Sequence, residues 1–145
     1  MINKNITAFN LRTYAIIIDN GNLLLSKELI KGKESIKFPG GGVEFGEGII
    51  AALKREAMEE MNVELNNIQH FYTTDFFQQS AFNSKDQLIS IYYTAKLSTK
   101  LKINERTQPI KDYPVFFWKK LSDIHVTDLH FPIDKHVCSL IKEIL

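Results

Sequence analysis

The sequence predicts an α/β fold, a mixed β-sheet sandwiched between α-helices, formed as a single domain over residues 1–145. Three observations predict it. Runs rich in β-branched and aromatic residues alternate with two segments whose apolar residues recur at helical spacing, and no linker, repeat or low-complexity stretch interrupts them. At 145 residues and 44% hydrophobic, the chain can bury about two-thirds of its unfolded surface, which leaves no room for a second full domain.

Each element has a local cause. Residues 14–18 and 23–26 are β-prone runs flanking Asp19-Asn20-Gly21-Asn22, where Asn-Gly is a strong hairpin signal, so the first two strands are expected to pair. Phe38-Pro39-Gly40-Gly41-Gly42 reads as a short strand breaking into a loop, whose backbone can approach an anion because no Cβ intervenes. Ile50, Leu53, Ala57 and Met61 form the buried stripe of a helix, and Asn62 follows its last turn as a left-handed C-terminal cap. Residues 63–77 and 87–97 flank the polar segment 78–86 and read as a long central hairpin. Residues 115–118 make a short final strand behind Pro114, followed by a turn of helix near 121–124. A last helix begins near Pro132, where the missing N–H costs nothing, and carries Ile133, Val137, Leu140, Ile141 and Ile144 on one side.

Composition excludes several classes of function. Lys and Arg number 18 against 17 Asp and Glu, and no basic run is interleaved with aromatics, so polymeric nucleic acid is not an expected partner. No apolar run approaches the roughly 20 residues of a membrane span, and the N-terminus lacks a signal-peptide core, so a cytoplasmic protein without membrane contact is expected. Cys138 is the only cysteine, which rules out an internal disulfide and suggests a core thiol. The four histidines show no zinc-ligand spacing.

The chemistry concentrates between Gly40 and Val63. On one helix, Glu56, Glu59 and Glu60 fan over roughly 100° of the surface, and like charges at that spacing cost a few tenths of a kcal/mol per pair. They also crowd toward the helix C-terminus, where the macrodipole disfavours anions. A divalent cation reverses the sign of that cost. Oxygen ligands without Cys or His point to a hard ion, Mg²⁺ with Mn²⁺ as a substitute, and such an ion bridges readily to phosphate.

The run Gly41, five residues, Glu47, seven residues, Arg55-Glu56, two residues, Glu59-Glu60, one residue, Asn62-Val63 resembles the Nudix box through its whole span. Two positions depart from that pattern. Ala57 stands where a larger aliphatic residue is usual, and Asn62 replaces the customary glycine, for which it is the next-best left-handed residue. The resemblance implies a Nudix fold and hydrolysis of a nucleoside diphosphate linked to another moiety, by water attacking phosphorus with divalent-metal assistance. It also implies Glu56 and Glu60 as principal metal ligands and Glu59 as a further or water-mediated one. Arg55 and Glu47 would form an ion pair orienting the carboxylates, and Glu56 is the expected proton acceptor. A homodimer would be in keeping with the family.

The substrate side is less explicit. Phe77, with Phe76, Phe82, Tyr92 and Tyr93, supplies candidates for a base-stacking platform, and Arg12 together with Gly40, Gly41 and Gly42 is expected to meet phosphate. Glu105 and Asp112 occupy the region from which some Nudix enzymes draw another carboxylate. A (d)NTP or oxidised purine nucleotide such as 8-oxo-dGTP is one expected substrate, ADP-ribose or a nucleotide sugar another. A non-catalytic nucleotide sensor is the contrasting reading, but a sensor has no need for Glu47, Arg55, Glu56, Glu59 and Glu60 together.

Overall fold

The computed structural model describes residues 2–103 and 106–145. The elements run β1 (Ala8–Asp19), β2 (Asn22–Ile30), β3 (Lys33–Lys37), β4 (Gly40–Gly42), α1 (Ile49–Met61), β5 (Leu65–Thr73), β6 (Asp86–Leu97), β7 (Val115–Lys120) and α2 (Pro132–Ile144). Two short 3-10 turns, Leu121–Asp123 and Val126–Asp128, join β7 to α2.

Strand alternation produces the layering. Along β1, Tyr14 and Ile16 enter one core with Val137, Cys138 and Ile141 of α2, while Ala15 and Ile17 enter the other with Leu53 and Ala57 of α1. Leu23 and Leu25 of β2 join the first core and Leu24 the second, so the strands are apolar on both faces and each helix covers one. The sheet is mixed: β1 runs parallel to β6 from Ala8↔Asp86 to Ile17↔Ala95, and β6 is antiparallel to β5.

Several local expectations are refined. The Asn20-Gly21 turn forms, both residues having positive φ, yet β1 and β2 pair only at Ile18↔Leu23 and Asp19↔Asn22. Beyond the turn they diverge, β1 pairing with β6 and β4 while β2 pairs with β3 and β7. The β2–β3 hairpin has its own signal in Lys31-Gly32, again two positive-φ residues. The glycine run is not a loop: Gly40, Gly41 and Gly42 pair antiparallel with Tyr14, Thr13 and Arg12. The central hairpin is shorter than 63–77 because β5 ends at Thr73, after which the chain leaves the sheet.

Both helices bury a face rotated from the expected one. In α1 the buried residues are Ala52, Leu53 and Ala57, whereas Ile50 is 42% exposed. In α2, Ile133, Val137 and Ile141 are buried with Cys138 and Asp134, but Ile144 is 66% exposed because the last turn runs past the core. Pro132 takes the first helical position. Asn62 adopts φ 54 and ψ 44 and its N–H caps the Met58 carbonyl at 3.1 Å, as its position predicts. Ile141→Ala should therefore cost about 2–5 kcal/mol in denaturant unfolding, while Ile144→Ala should stay within about 0.5 kcal/mol, although both belong to one stripe in the sequence.

Candidate active site

Arg55 organises the acidic residues. Its guanidinium donates from Nε to Glu47 Oε2 at 3.0 Å and from Nη2 to Glu47 Oε1 at 2.7 Å, a bidentate fork. Nη2 also reaches the Gly42 carbonyl at 3.0 Å, and Nη1 reaches Glu56 at 3.2 Å and Glu59 at 3.1 Å. One side chain thus ties the turn before α1, the end of β4 and the helical carboxylates together. The Glu47 carboxyl is held down at about 2, first by the Arg55 hydrogen bonds and then by the Glu44 amide, which donates to it at 2.9 Å.

Glu56 is set against β4 so closely that a Cβ at Gly41 would lie 2.5 Å from its carboxylate oxygen. A side chain at 41 would therefore have to displace the Glu56 carboxylate. Glu60 is half-buried beside it, and its carboxyl is pushed up to about 7 by burial, with Glu56 and Glu28 raising it further against the lowering effect of Lys37. Glu59 is exposed and turned to Arg55.

This donor set fits a hard divalent cation. The groups are all oxygen, and the upward push that Glu56 exerts on the Glu60 carboxyl reflects two negative charges close to one another. Among the described residues no three acidic, imidazole or thiol groups are placed to hold a metal ion by themselves, so an ion bound here would need further ligands from water or substrate. Asp112 is exposed at a left-handed position, φ 64, between Ile110 and Tyr113, a turn role that accounts for its residue type. Glu105 lies outside the described residues.

On the α2 side of the sheet opens a cavity of about 210 Å³. Tyr14 and Tyr92, stacked with centroids 5.2 Å apart, line it with Ile133 and Asp134, and Phe82 and Phe131 add a second aromatic wall. Asp134 is buried and accepts a hydrogen bond from the Tyr92 hydroxyl. Burial pushes its carboxyl up to about 6, against the lowering influence of Tyr92, Lys37 and the Phe38 backbone. Arg12, Glu28 and Lys37 line the same cavity and also feel the helical carboxylates: Glu56 acts on Arg12, and Glu60 on Lys37. Arg12 is fixed by donating to the Tyr14 hydroxyl at 2.6 Å.

The structure thus gathers Glu47, Arg55, Glu56, Glu59, Glu60, Gly40, Gly41, Gly42 and Arg12 into one region. Phe77 stays apart, 52% exposed and outside the cavity lining, and Phe76 packs its ring on His136. Tyr93 faces the α1 core. Glu28, Lys37 and Asp134 had no motif to reveal them. A lysine alternating with apolar residues in Ile36-Lys37-Phe38, and an acid within an apolar helical face, were the available signals.

A family model described as NUDIX domain matches residues 9–139. The chain belongs to the Nudix family. It is a Nudix hydrolase, an enzyme acting on diphosphate bonds. It is 34% identical over 119 residues to the 8-oxo-dGTP diphosphatase of Buchnera aphidicola, covering 78% of this chain and 86% of that protein. Among solved structures, a MutT from work on Aliivibrio salmonicida and Vibrio cholerae superposes with TM-score 0.70 at 20% identity, over 94% of this chain and 99% of the other. The Escherichia coli ORF135 protein gives 0.72 at 18% identity, over 94% and 90%. These two likenesses establish the Nudix fold. Nudix hydrolases work with divalent metal ions, and no helix among the described residues is long and apolar enough to cross a membrane.

Two outcomes follow from this geometry. Gly41→Ala should leave the thermal midpoint within a few degrees, because the far end of a side chain can move aside, yet lower metal-dependent turnover about tenfold or more by displacing Glu56. Asp134 has a folded pKa of about 6, above its ordinary 3.8, so its contribution to stability is complete below about pH 4 and is lost as pH rises through 6. The loss approaches about 3 kcal/mol. Asp134→Asn should flatten that slope in urea unfolding between pH 4 and 7, and an unchanged slope would refute the buried neutral carboxyl.

Proposed function

We propose that this Nudix hydrolase cleaves an oxidised purine nucleoside triphosphate of the 8-oxo-dGTP kind to the monophosphate and pyrophosphate. One observation carries the reading: an aromatic cavity containing a buried carboxyl is lined by Arg12, Glu28 and Lys37, of which Arg12 pairs with Gly42 and Lys37 holds the Gly40 carbonyl, the two ends of the strand against which Glu56 is set. A purine sits between aromatic and apolar walls, with Asp134 as a hydrogen-bonding partner for its edge, while the phosphates extend toward α1. The likeness to a protein named 8-oxo-dGTP diphosphatase supports the same choice.

In this proposal Glu56 and Glu60 hold the cation, with Glu59 as a further ligand directly or through water. Mg²⁺ is the expected ion and Mn²⁺ the substitute. When bound, the cation neutralises phosphate charge and acidifies water. Arg55, fixed by Glu47, orients Glu56. Arg12 binds a phosphate oxygen, and the backbone of Gly40, Gly41 and Gly42 lets substrate lie close. Glu56 accepts the proton of the attacking water as its oxygen bonds to phosphorus and the P–O bond bridging the α and β phosphorus atoms breaks, pyrophosphate carrying away the electron pair. The working unit is one domain over residues 1–145, supported by the family match across 9–139. Cytoplasmic residence accords with a soluble nucleotide substrate and a free, buried Cys138.

A panel of 8-oxo-dGTP, dGTP, ADP-ribose and UDP-glucose with Mg²⁺ tests the substrate. Phosphate should appear with 8-oxo-dGTP only after inorganic pyrophosphatase is added. Preferential cleavage of ADP-ribose, seen as phosphate released by added phosphatase, would overturn the assignment. Glu60→Gln should fold normally and lose about a hundredfold or more of metal-dependent turnover; full activity in that variant would remove Glu60 from the site.

A further inference from the structure

Lys37 is a buried cation that the hydrolytic chemistry leaves unused. It is 3% exposed, and its ammonium reaches three acceptors: the Phe38 carbonyl at 3.3 Å, the Gly40 carbonyl at 3.2 Å and Glu28 Oε2 at 3.2 Å. The Tyr14 ring lies 5.3 Å from the same nitrogen. With two N–H groups donated to backbone carbonyls, the charge paired to Glu28 and the side chain buried, Lys37 acts on whatever binds here through its neighbours.

Glu28 is the neighbour with capacity to spare. Its side chain is 29% exposed and lines the cavity, while Oε2 is buried, ion-paired to Lys37 but without a well-directed hydrogen bond. The carboxylate lines the base cavity and, through Lys37 and the Gly40 carbonyl that Lys37 holds, is tied to the strand against which Glu56 is set. The covalent order of a nucleotide settles what occupies that place. With the base beside Asp134 and the diphosphate at α1, the sugar lies between them. A carboxylate repels phosphate but accepts strongly from a hydroxyl, so the group it suits is a sugar O–H.

We propose that Glu28, held by buried Lys37, accepts a hydrogen bond from a sugar hydroxyl of the bound nucleotide and so sets the preference of the enzyme at the sugar, with Lys37 as the positioning residue. The inference rests on the nucleotide reading above and names the part of the substrate that the reading leaves open. A buried cation held by two backbone carbonyls fixes the carboxylate at no cost in side-chain freedom at the moment of binding. The arrangement also separates tasks, since Arg12 meets phosphate and Glu28 the neutral sugar.

Calorimetric titration with 8-oxo-dGMP, its 3′-deoxy counterpart and 8-oxo-GMP tests this without requiring turnover. The wild-type protein should bind 8-oxo-dGMP about tenfold tighter than the 3′-deoxy compound if the 3′-hydroxyl is the donor, or 8-oxo-GMP about tenfold tighter than 8-oxo-dGMP if the 2′-hydroxyl is. In Glu28→Ala and Lys37→Met the ratio should fall to near one. The double variant removes both charges together and so avoids an unpaired buried ion; it should show no further loss, because the two residues act as a unit. A merely structural role for the pair would weaken all three ligands equally and leave the ratio intact, which would overturn the inference. Binding by the wild type without any sugar preference would overturn it too, while failure of the wild type to bind any of the three would sink the nucleotide reading itself.

Discussion

The forked hydrogen bonding of Arg55 to Glu47 is the constraint on which the site depends. It fixes the turn before α1 to the helix, and by reaching the Gly42 carbonyl it fixes both to β4. The remaining guanidinium nitrogen is shared by Glu56 and Glu59, whose mutual repulsion would otherwise spread them. Lysine could not replace it, since a single ammonium cannot serve a bidentate carboxylate and a carbonyl while steadying two further acids. The cluster tolerates its charge because one planar cation is held at its centre.

The two layers of the fold carry the acids and the cavity on different helices. Helix α1 brings the acids to one side of the sheet, α2 brings Asp134 to the other, and β1 lies between, with Arg12 and Tyr14 on the cavity side and Ala15 and Ile17 under α1. The two halves meet where β4 crosses β1 at Arg12↔Gly42 to Tyr14↔Gly40. Position 40 demands glycine, since a Cβ there would strike the Thr13 and Tyr14 backbone, whereas one at 41 would meet the movable end of Glu56. Backbone pairing spans all three glycines, and close approach falls on two of them, Gly40 and Gly41.

What was legible in the sequence was whatever a local rule encodes. The acidic spacing, the Arg55–Glu47 pairing implied by the Nudix resemblance, the Asn62 cap, the Asn20-Gly21 turn and Pro132 at a helix start each follow from neighbours within about one turn or hairpin. Other features depend on contacts distant in sequence. The divergence of β1 from β2 is decided by the parallel partner β6, nearly eighty residues on, and the pairing of Gly40–Gly42 by β1. Asp134 sits in an apolar helical face that looks like plain core, and only Tyr92, from another element, turns its burial into a cavity wall. Lys37 and Glu28 are unremarkable strand residues until β2 and β3 lie side by side. Phe77 shows the converse: aromatic composition named a platform, but the chain leaves the sheet at Thr73 and exposes that ring.

The central claim is that the carboxylates Arg55 gathers form a divalent-cation site. Titration of Mn²⁺ followed by the electron paramagnetic resonance of the free ion tests it most directly, comparing the wild type with Glu56→Gln. The account predicts that this substitution weakens Mn²⁺ binding at least about tenfold without altering the unfolding midpoint by more than a few degrees. Equal Mn²⁺ affinity in the two proteins would contradict it.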